Sequence, residues 1–219
     1  DNSNLFELFA TIADGKAALD GNALQFSLTP NGYVANWLPG VAAGLYVPPS
    51  GGATIVADVS TGSETFTPSV AIPVPGGVVT QWTVSSESIL TAGPDGNEDN
   101  DSFPSLSDPA SEAGLAFYTW FTQNPTESGS GKIKWEEVGG VLYVTFDGVE
   151  CAAGSPTAAP STYQFQINTT TGDVIMVWQS MSASNSTSDM MVGCTLAGTG
   201  VTAVSQTLSA VTPFVLEPD

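Results

Sequence analysis

The side chains in this sequence that could do acid–base chemistry are carboxylates, because 22 acidic residues stand against three lysines, with no arginine and no histidine. Without histidine there is no Ser-His-Asp triad, no Cys-His pair and no imidazole metal ligand. Without arginine there is no guanidinium fork to clamp a phosphate. A Ser-Lys dyad would have to use Lys16, Lys132 or Lys134, and the last two alternate onto a strand face that the pattern turns to solvent. The GxSxG elbow, the phosphate-cradling glycine loop and the dinucleotide fingerprint are all missing. Glycoside hydrolysis remains, since it needs only an acid and a base or nucleophile at a set separation. Its candidates are Glu136, Glu137 and Asp147, with Trp135 or Trp178 as a platform for a sugar ring. The preferred reading of these carboxylates is the solvated edge of a strand, so no catalytic residue is assigned.

A second chemistry lies in the acidic stretch Gly93 to Glu112, where Asp95, Asn97, Asp99 and Asp101 occupy every second position. Oxygen ligands at that spacing can turn inward on one Ca2+, which would offset the repulsion among Asp95, Glu98, Asp99 and Asp101. The stretch is not an EF-hand, because Asn100 replaces the sixth-position glycine and Leu106 the twelfth-position glutamate. Calcium is the one cofactor suggested. Among the aromatic residues, Trp37 (before Pro39-Gly40) and Tyr46 (before Pro48-Pro49) are expected in the open, where they could bind a glycan, and the rest read as core. A calcium-dependent carbohydrate-binding module is therefore the first alternative function, and a paired-carboxylate glycoside hydrolase the second. Acceptor sequons for glycosylation begin at Asn100, Asn168 and Asn185, each in an expected turn. Cys151 and Cys194 are the only cysteines and are expected to form a disulfide, contributing about 4 kcal/mol on a chain-entropy model; the alternative is two buried free thiols.

The composition bounds where such residues can work. A chain of 219 residues, 42% hydrophobic and 9% aromatic, suits one large β domain with a sizeable core. A net charge of −19 and a pI near 4.1 repel phosphate backbones and anionic lipid, so nucleic acid and the membrane surface are excluded as partners. Charged residues total only 11%, against about 25% in ordinary soluble domains, and Ser, Thr, Asn and Gln take their place, as expected of a secreted, extracellular surface. No stretch approaches the roughly 20 apolar residues of a membrane span, and a start at Asp1 fits a precursor cut on export.

Lys132 to Gln179 write the fold most plainly. In GKIKWEEVGGVLYVTFDGV and STYQFQINTTTGDVIMVWQ, alternating residues flank Gly139-Gly140 and the turn Asn168 to Gly172, which predicts two successive hairpins. Upstream, ALQFSLT, Gly32 to Leu38, Gly44 to Val47, ATIVADV, Glu64 to Ile72 and Val78 to Val84 read as strands between turn signals, and GLAFYTWFT as a strand covered on both faces. Met190 to Leu196, Val201 to Leu208 and Thr212 to Leu216 complete the set. Strands at this spacing predict an all-β fold: an antiparallel β-sandwich, jelly-roll-like with Greek-key connections, at most one short N-terminal helix, and one domain over 1–219. The N-terminal arm, 1–12, reads two ways. Leu5, Leu8, Phe9 and Ile12 share a helical face with Asn4 and Glu7 as a capping box, whereas the same arm extended, with Phe6, would lie on its own sheet or assemble into a neighbouring copy.

FYTWFTQNP, GSGKIKWEEVGGVLYVTFDGV and TYQFQINTTTGDVIMVW, over roughly Leu115 to Gln179, resemble secreted β-sandwich domains of environmental bacteria, loosely nidogen-like. NLFELFA, ALQFSLTPNGYV and the region to Val84 look like the N-terminal half of the same proteins. The resemblance implies a surface or matrix location and no enzyme activity; the acidic insert before Phe103 departs from it. The leading expectation is a non-enzymatic extracellular structural or interaction protein of the cell surface or matrix. It includes a self-assembling filament or layer subunit whose partners are copies of itself, other surface components or glycans. Lysine, the usual charged guard of sheet edges, is nearly absent, which permits such assembly.

Overall fold

The computed structural model describes residues 2–56, 62–94, 105–107, 114–121, 131–149, 160–182, 189–196 and 203–218. In chain order these form β1 (Asn4–Phe9), α1 (Ile12–Leu19), β2 (Ala23–Leu28), β3 (Tyr33–Leu38), α2 (Ala42–Leu45), β4 (Thr54–Ile55), β5 (Ser63–Phe66), β6 (Ile72–Val74), β7 (Gly77–Val79), β8 (Trp82–Ser85), β9 (Ile89–Ala92), β10 (Ala116–Phe121), β11 (Lys132–Val138), β12 (Val141–Val149), β13 (Ser161–Asn168), β14 (Val174–Ser180), β15 (Met190–Thr195), α3 (Leu208–Val211) and β16 (Phe214–Leu216). A six-stranded sheet has the order β1-β15-β10-β9-β8-β5, an eight-stranded sheet the order β16-β3-β2-β14-β13-β12-β11-β4, and β6 and β7 form a small ribbon. The fold is an all-β sandwich whose named strands pair antiparallel.

Alternation builds the core. Leu142, Val144 and Phe146 on β12, Tyr163, Phe165 and Ile167 on β13, and Val174, Met176 and Trp178 on β14 are all fully buried. Each such side chain contributes about 1.5–3 kcal/mol by leaving water. Aromatic contacts join the sheets: Phe117 of β10 meets Phe26 of β2 edge-on at 5.3 Å, and Phe66 of β5 stacks on Trp135 of β11 at 4.9 Å. Polar ties add register. The Trp178 Nε1–H donates to the Thr119 carbonyl across the sandwich at 2.8 Å, and the Tyr163 hydroxyl bonds to Ser88 Oγ.

The N-terminal arm is a strand, not a helix. It pairs with β15 along its whole length, from Asn4 opposite Thr195 to Phe9 opposite Met190. Leu5 and Phe9 enter the main core, while Phe6 packs on the opposite face against Tyr118, edge-on at 5.2 Å. Gly193 lies between them, at a φ of +156°; a Cβ there would stand 2.4 Å from the Phe6 ring and 2.0 Å from the Leu5 carbonyl oxygen. The absence of a side chain on β15 thus makes room for Phe6 and fixes the register. The helix signal belongs one step later: Thr11 Oγ1 accepts from the Asp14 N–H at 3.1 Å and caps α1.

Other expectations are corrected. Gly44 to Val47 is not a strand but the end of α2 and an extended run after it. The expected strand Val201 to Leu208 is, over its described part, an irregular segment that leads into the single-turn α3 and covers the far edge of β1. The Gln206 N–H donates to the Phe6 carbonyl at 2.7 Å, and the Leu8 N–H to Ser205 Oγ at 2.9 Å. Glu64 to Ile72 is split between β5 and β6, β9 carries no alternation the sequence could reveal, and the described residues include three short helices in place of one at most.

Candidate functional site

The residues that could do chemistry gather on the outer face of the eight-stranded sheet. Pairing sets them in rows across the strands. One row runs Ala23, Val177, Gln164, Thr145, Lys134; the next runs Gln25, Ile175, Gln166, Tyr143, Glu136.

Residues 41–50 lie across the first row as a strap. Ala42 packs on Ala23 and Val177, joined by the half-buried Leu45 and Tyr46. Gln164, fully buried, donates from Nε2 to the Val47 carbonyl at 2.8 Å and to Thr145 Oγ1 at 2.7 Å, and its Oε1 accepts from the Val47 N–H at 3.3 Å. Gln166 donates from Nε2 to the Leu45 carbonyl at 2.7 Å and to Gln164 Oε1 at 2.8 Å. A primary amide carries a donor and an acceptor on one carbon, so Gln164 offers Val47 what a neighbouring strand's backbone would. The end of the strap is anchored by Glu136, whose carboxylate accepts from the Ser50 N–H at 2.8 Å and the Ser50 hydroxyl at 2.6 Å.

The carboxylates proposed for glycoside hydrolysis are not brought together. Glu136 and Glu137 are adjacent on β11 and serve different loops, Glu137 accepting from the Ser69 N–H at 2.8 Å. Asp147 pairs with Lys134 at 2.7 Å. Asp147 stands opposite Lys132, four ladder positions from Glu136. That is about 13 Å along the strands, where the reaction needs roughly 5–9.5 Å. Trp178 is buried and Trp135 is stacked on Phe66, so neither offers a sugar platform.

The rings expected in the open are both half-buried. Trp37 leans on Trp178 at 5.9 Å, and Tyr46 sits in the strap, where burial, helped by the charge of Asp147, pushes its phenol up to about 12. Leu5, Phe6, Phe9 and Ile12, expected to serve assembly, are buried in their own chain, and Leu8 is half-buried beside Phe6. The arm is part of the fold, and removing it would open the core. The expected Cys151–Cys194 bridge is not found: Cys194 carries a free, fully buried thiol at a core position, and burial pushes its ionisation well above the ordinary range. Cys151, the calcium candidates Asp95, Asn97, Asp99 and Asp101, and the sequon residues Asn100 and Asn185 lie outside the described residues. Among the described residues no three metal-capable side chains gather.

Beside the strap, Gln25, Ile175 and Gln166 of the second row, with Val141, Asn168 and Asp173, line a groove of about 240 Å³. Asn168, the described sequon residue, has its Oδ1 tied by the Thr170 and Thr171 N–H groups at 2.9 and 3.0 Å, which leaves its Nδ2 as a donor without a partner among the described residues. Asp173 accepts from the Leu28 N–H and the Thr171 hydroxyl, each at 2.8 Å. Gln166 exposes 9% of its surface, and its Oε1 accepts nothing from the described residues; the Gln25 amide likewise has no described partner. A larger cavity of about 400 Å³ at one end of the sandwich is lined mainly by turn residues, with Asn31 and Glu217 as its polar side chains.

No protein-family model, no curated protein and no solved structure matches the chain. Sequence reasoning missed Gln25, Gln166, Asp173 and Ile175. The available signal was the pair Gln164 and Gln166, two long amides at alternate positions of one strand, which read only as a wet face.

Proposed function

We propose that this chain is a non-enzymatic structural or interaction module of the cell exterior that associates with copies of itself or with other surface components. The observation that carries this reading is that its candidate catalytic carboxylates are engaged in architecture: Glu136 holds the strap, Glu137 a loop at Ser69, and Asp147 a lysine. An acid or base needs a free proton site aimed at substrate, and hydrogen bonds to fixed N–H groups oppose that use. Association is supported by the sheet edges. Among the described residues β5 pairs on one side only, β4 exposes Ile55, β16 exposes Val215, and none of these strands carries lysine.

Sedimentation over a concentration series tests the reading. Reversible association is expected, weakened by Ile55→Lys or Val215→Lys with thermal stability unchanged. A strict monomer at millimolar concentration would remove self-association. Glycoside turnover that disappears in Glu136→Gln would overturn the non-enzymatic assignment.

A further inference from the structure

We propose that the groove beside the strap binds one neutral sugar ring, without cleaving it. This inference rests on the interaction-module reading and gives it a ligand class. Gln25 and Gln166 flank Ile175 on adjacent strands, so their backbones stand roughly 10 Å apart across the sheet, with an aliphatic floor of Ile175 and Val141 between and beside them. Four polar residues line the groove with that floor: Gln25, Gln166, Asn168 and Asp173, the last already accepting from the Leu28 N–H and the Thr171 hydroxyl. Gln166 is nine-tenths buried and held through its Nε2 by the Leu45 carbonyl and Gln164 Oε1, so its amide is fixed in place at the groove wall.

A pyranose matches this set. Its rim presents hydroxyls that each donate and accept, as an amide does, and its face presents C–H groups to an aliphatic floor. The volume corresponds to about eight waters' share of liquid, below the pockets of drug-sized ligands and suited to a single ring. Charge selects neutral ligands. The groove holds one carboxylate and no cation, in a chain of net charge −19, so acidic or phosphorylated sugars are repelled. The same carboxylate already accepts two hydrogen bonds, which lessens its pull on a cation. An extended peptide is a poorer fit: the strap shows that this face holds a backbone with amides spaced along one strand, Gln164 and Gln166, whereas the free groups of the groove enclose a spot from opposite sides.

The experiment is a titration of the full 15N-labelled chain, followed through its side-chain amide resonances. The probes are glucose, galactose, mannose, xylose, N-acetylglucosamine, glucuronate and a neutral Ser/Gly/Asn peptide. At least one neutral sugar is expected to shift Gln25, Gln166 and Asn168 saturably, with a Kd near millimolar, and glucuronate to shift none. Gln25→Ala should weaken binding about tenfold through its lost hydrogen bonds, with unfolding unchanged. Trp37→Phe and Tyr46→Phe should leave the Kd unaltered. The proposal is overturned if no neutral sugar shifts these amides, if the shifts centre on Trp37 or Tyr46, or if only the peptide binds. Failure here leaves the interaction-module reading standing. Turnover of a bound glycoside would instead remove that reading while the binding remained.

Discussion

Among the described residues, the outer face of the eight-stranded sheet is covered by the strap over Gln164 and carries a groove beside Gln25, although both parts present the same kind of side chain. Over Gln164 the strap closes, and the amide meets Val47, Thr145 and Gln166. Over Gln25 no described residue closes, and the amide has no described partner. The contrast separates two uses of a polar group on a sheet. Where its bonds are made within the chain, burial turns it into architecture whose loss costs about 1–3 kcal/mol per orphaned group. Where they are unmade and reachable, the same chemistry is a recognition surface. Gln166 stands on the boundary, with its Nε2 held under the strap and its side chain at the groove wall.

The largest effect should come from the sealed half. Gln164→Ala removes both bonds to Val47 and orphans Thr145, so a loss of about 2–4 kcal/mol is expected in denaturant unfolding, with protease cutting within 41–50. Wild-type stability in that variant would erase the distinction between the halves. Gln166→Met should cost less, about 1–2 kcal/mol, and should lose sugar binding as well. Glu136→Ala frees Ser50 at an exposed anchor and should cost about 1 kcal/mol, mostly restored by Glu136→Gln. Gln25→Ala, in the open half, should stay within about 0.5 kcal/mol.

An alkaline titration reads the strap without altering neutral stability. The Tyr46 phenol is raised above its ordinary value of 10 to about 12, chiefly by burial, so the fold favours the neutral form. The contribution of the closed strap is therefore complete below pH 10 and lost as pH rises through about 12. Releasing the strap with Gln164→Ala should return this phenol toward 10, as seen in its ultraviolet absorbance.

The legible parts of the sequence were those decided by near neighbours. Residues 132–149 and 161–180 alternate around two turns, and they form the ladders β11 to β14. The arm was ambiguous because Leu5, Leu8, Phe9 and Ile12 fit a helical face, whereas Gly193, remote in the chain, makes the space that holds Phe6 on a strand. Pro-rich turns beside Trp37 and Tyr46 signalled loops correctly but said nothing of Trp178, on which Trp37 rests. The groove was the least legible feature. Its lining joins the hairpin strands β12, β13 and β14 to Gln25 of β2, which only the sheet order brings beside them, and its amides are ordinary surface residues in any local window.

Solvent exchange of the side-chain amide protons in the 15N-labelled chain measures the division of this face directly. Slow exchange is expected for the Gln164 and Gln166 Nε2 protons, which are held by Val47, Thr145 and Leu45, with fast exchange for those of Gln25 and Asn168. Equal exchange at all four would contradict it, because the strap would then not be closed over one half and absent from the other.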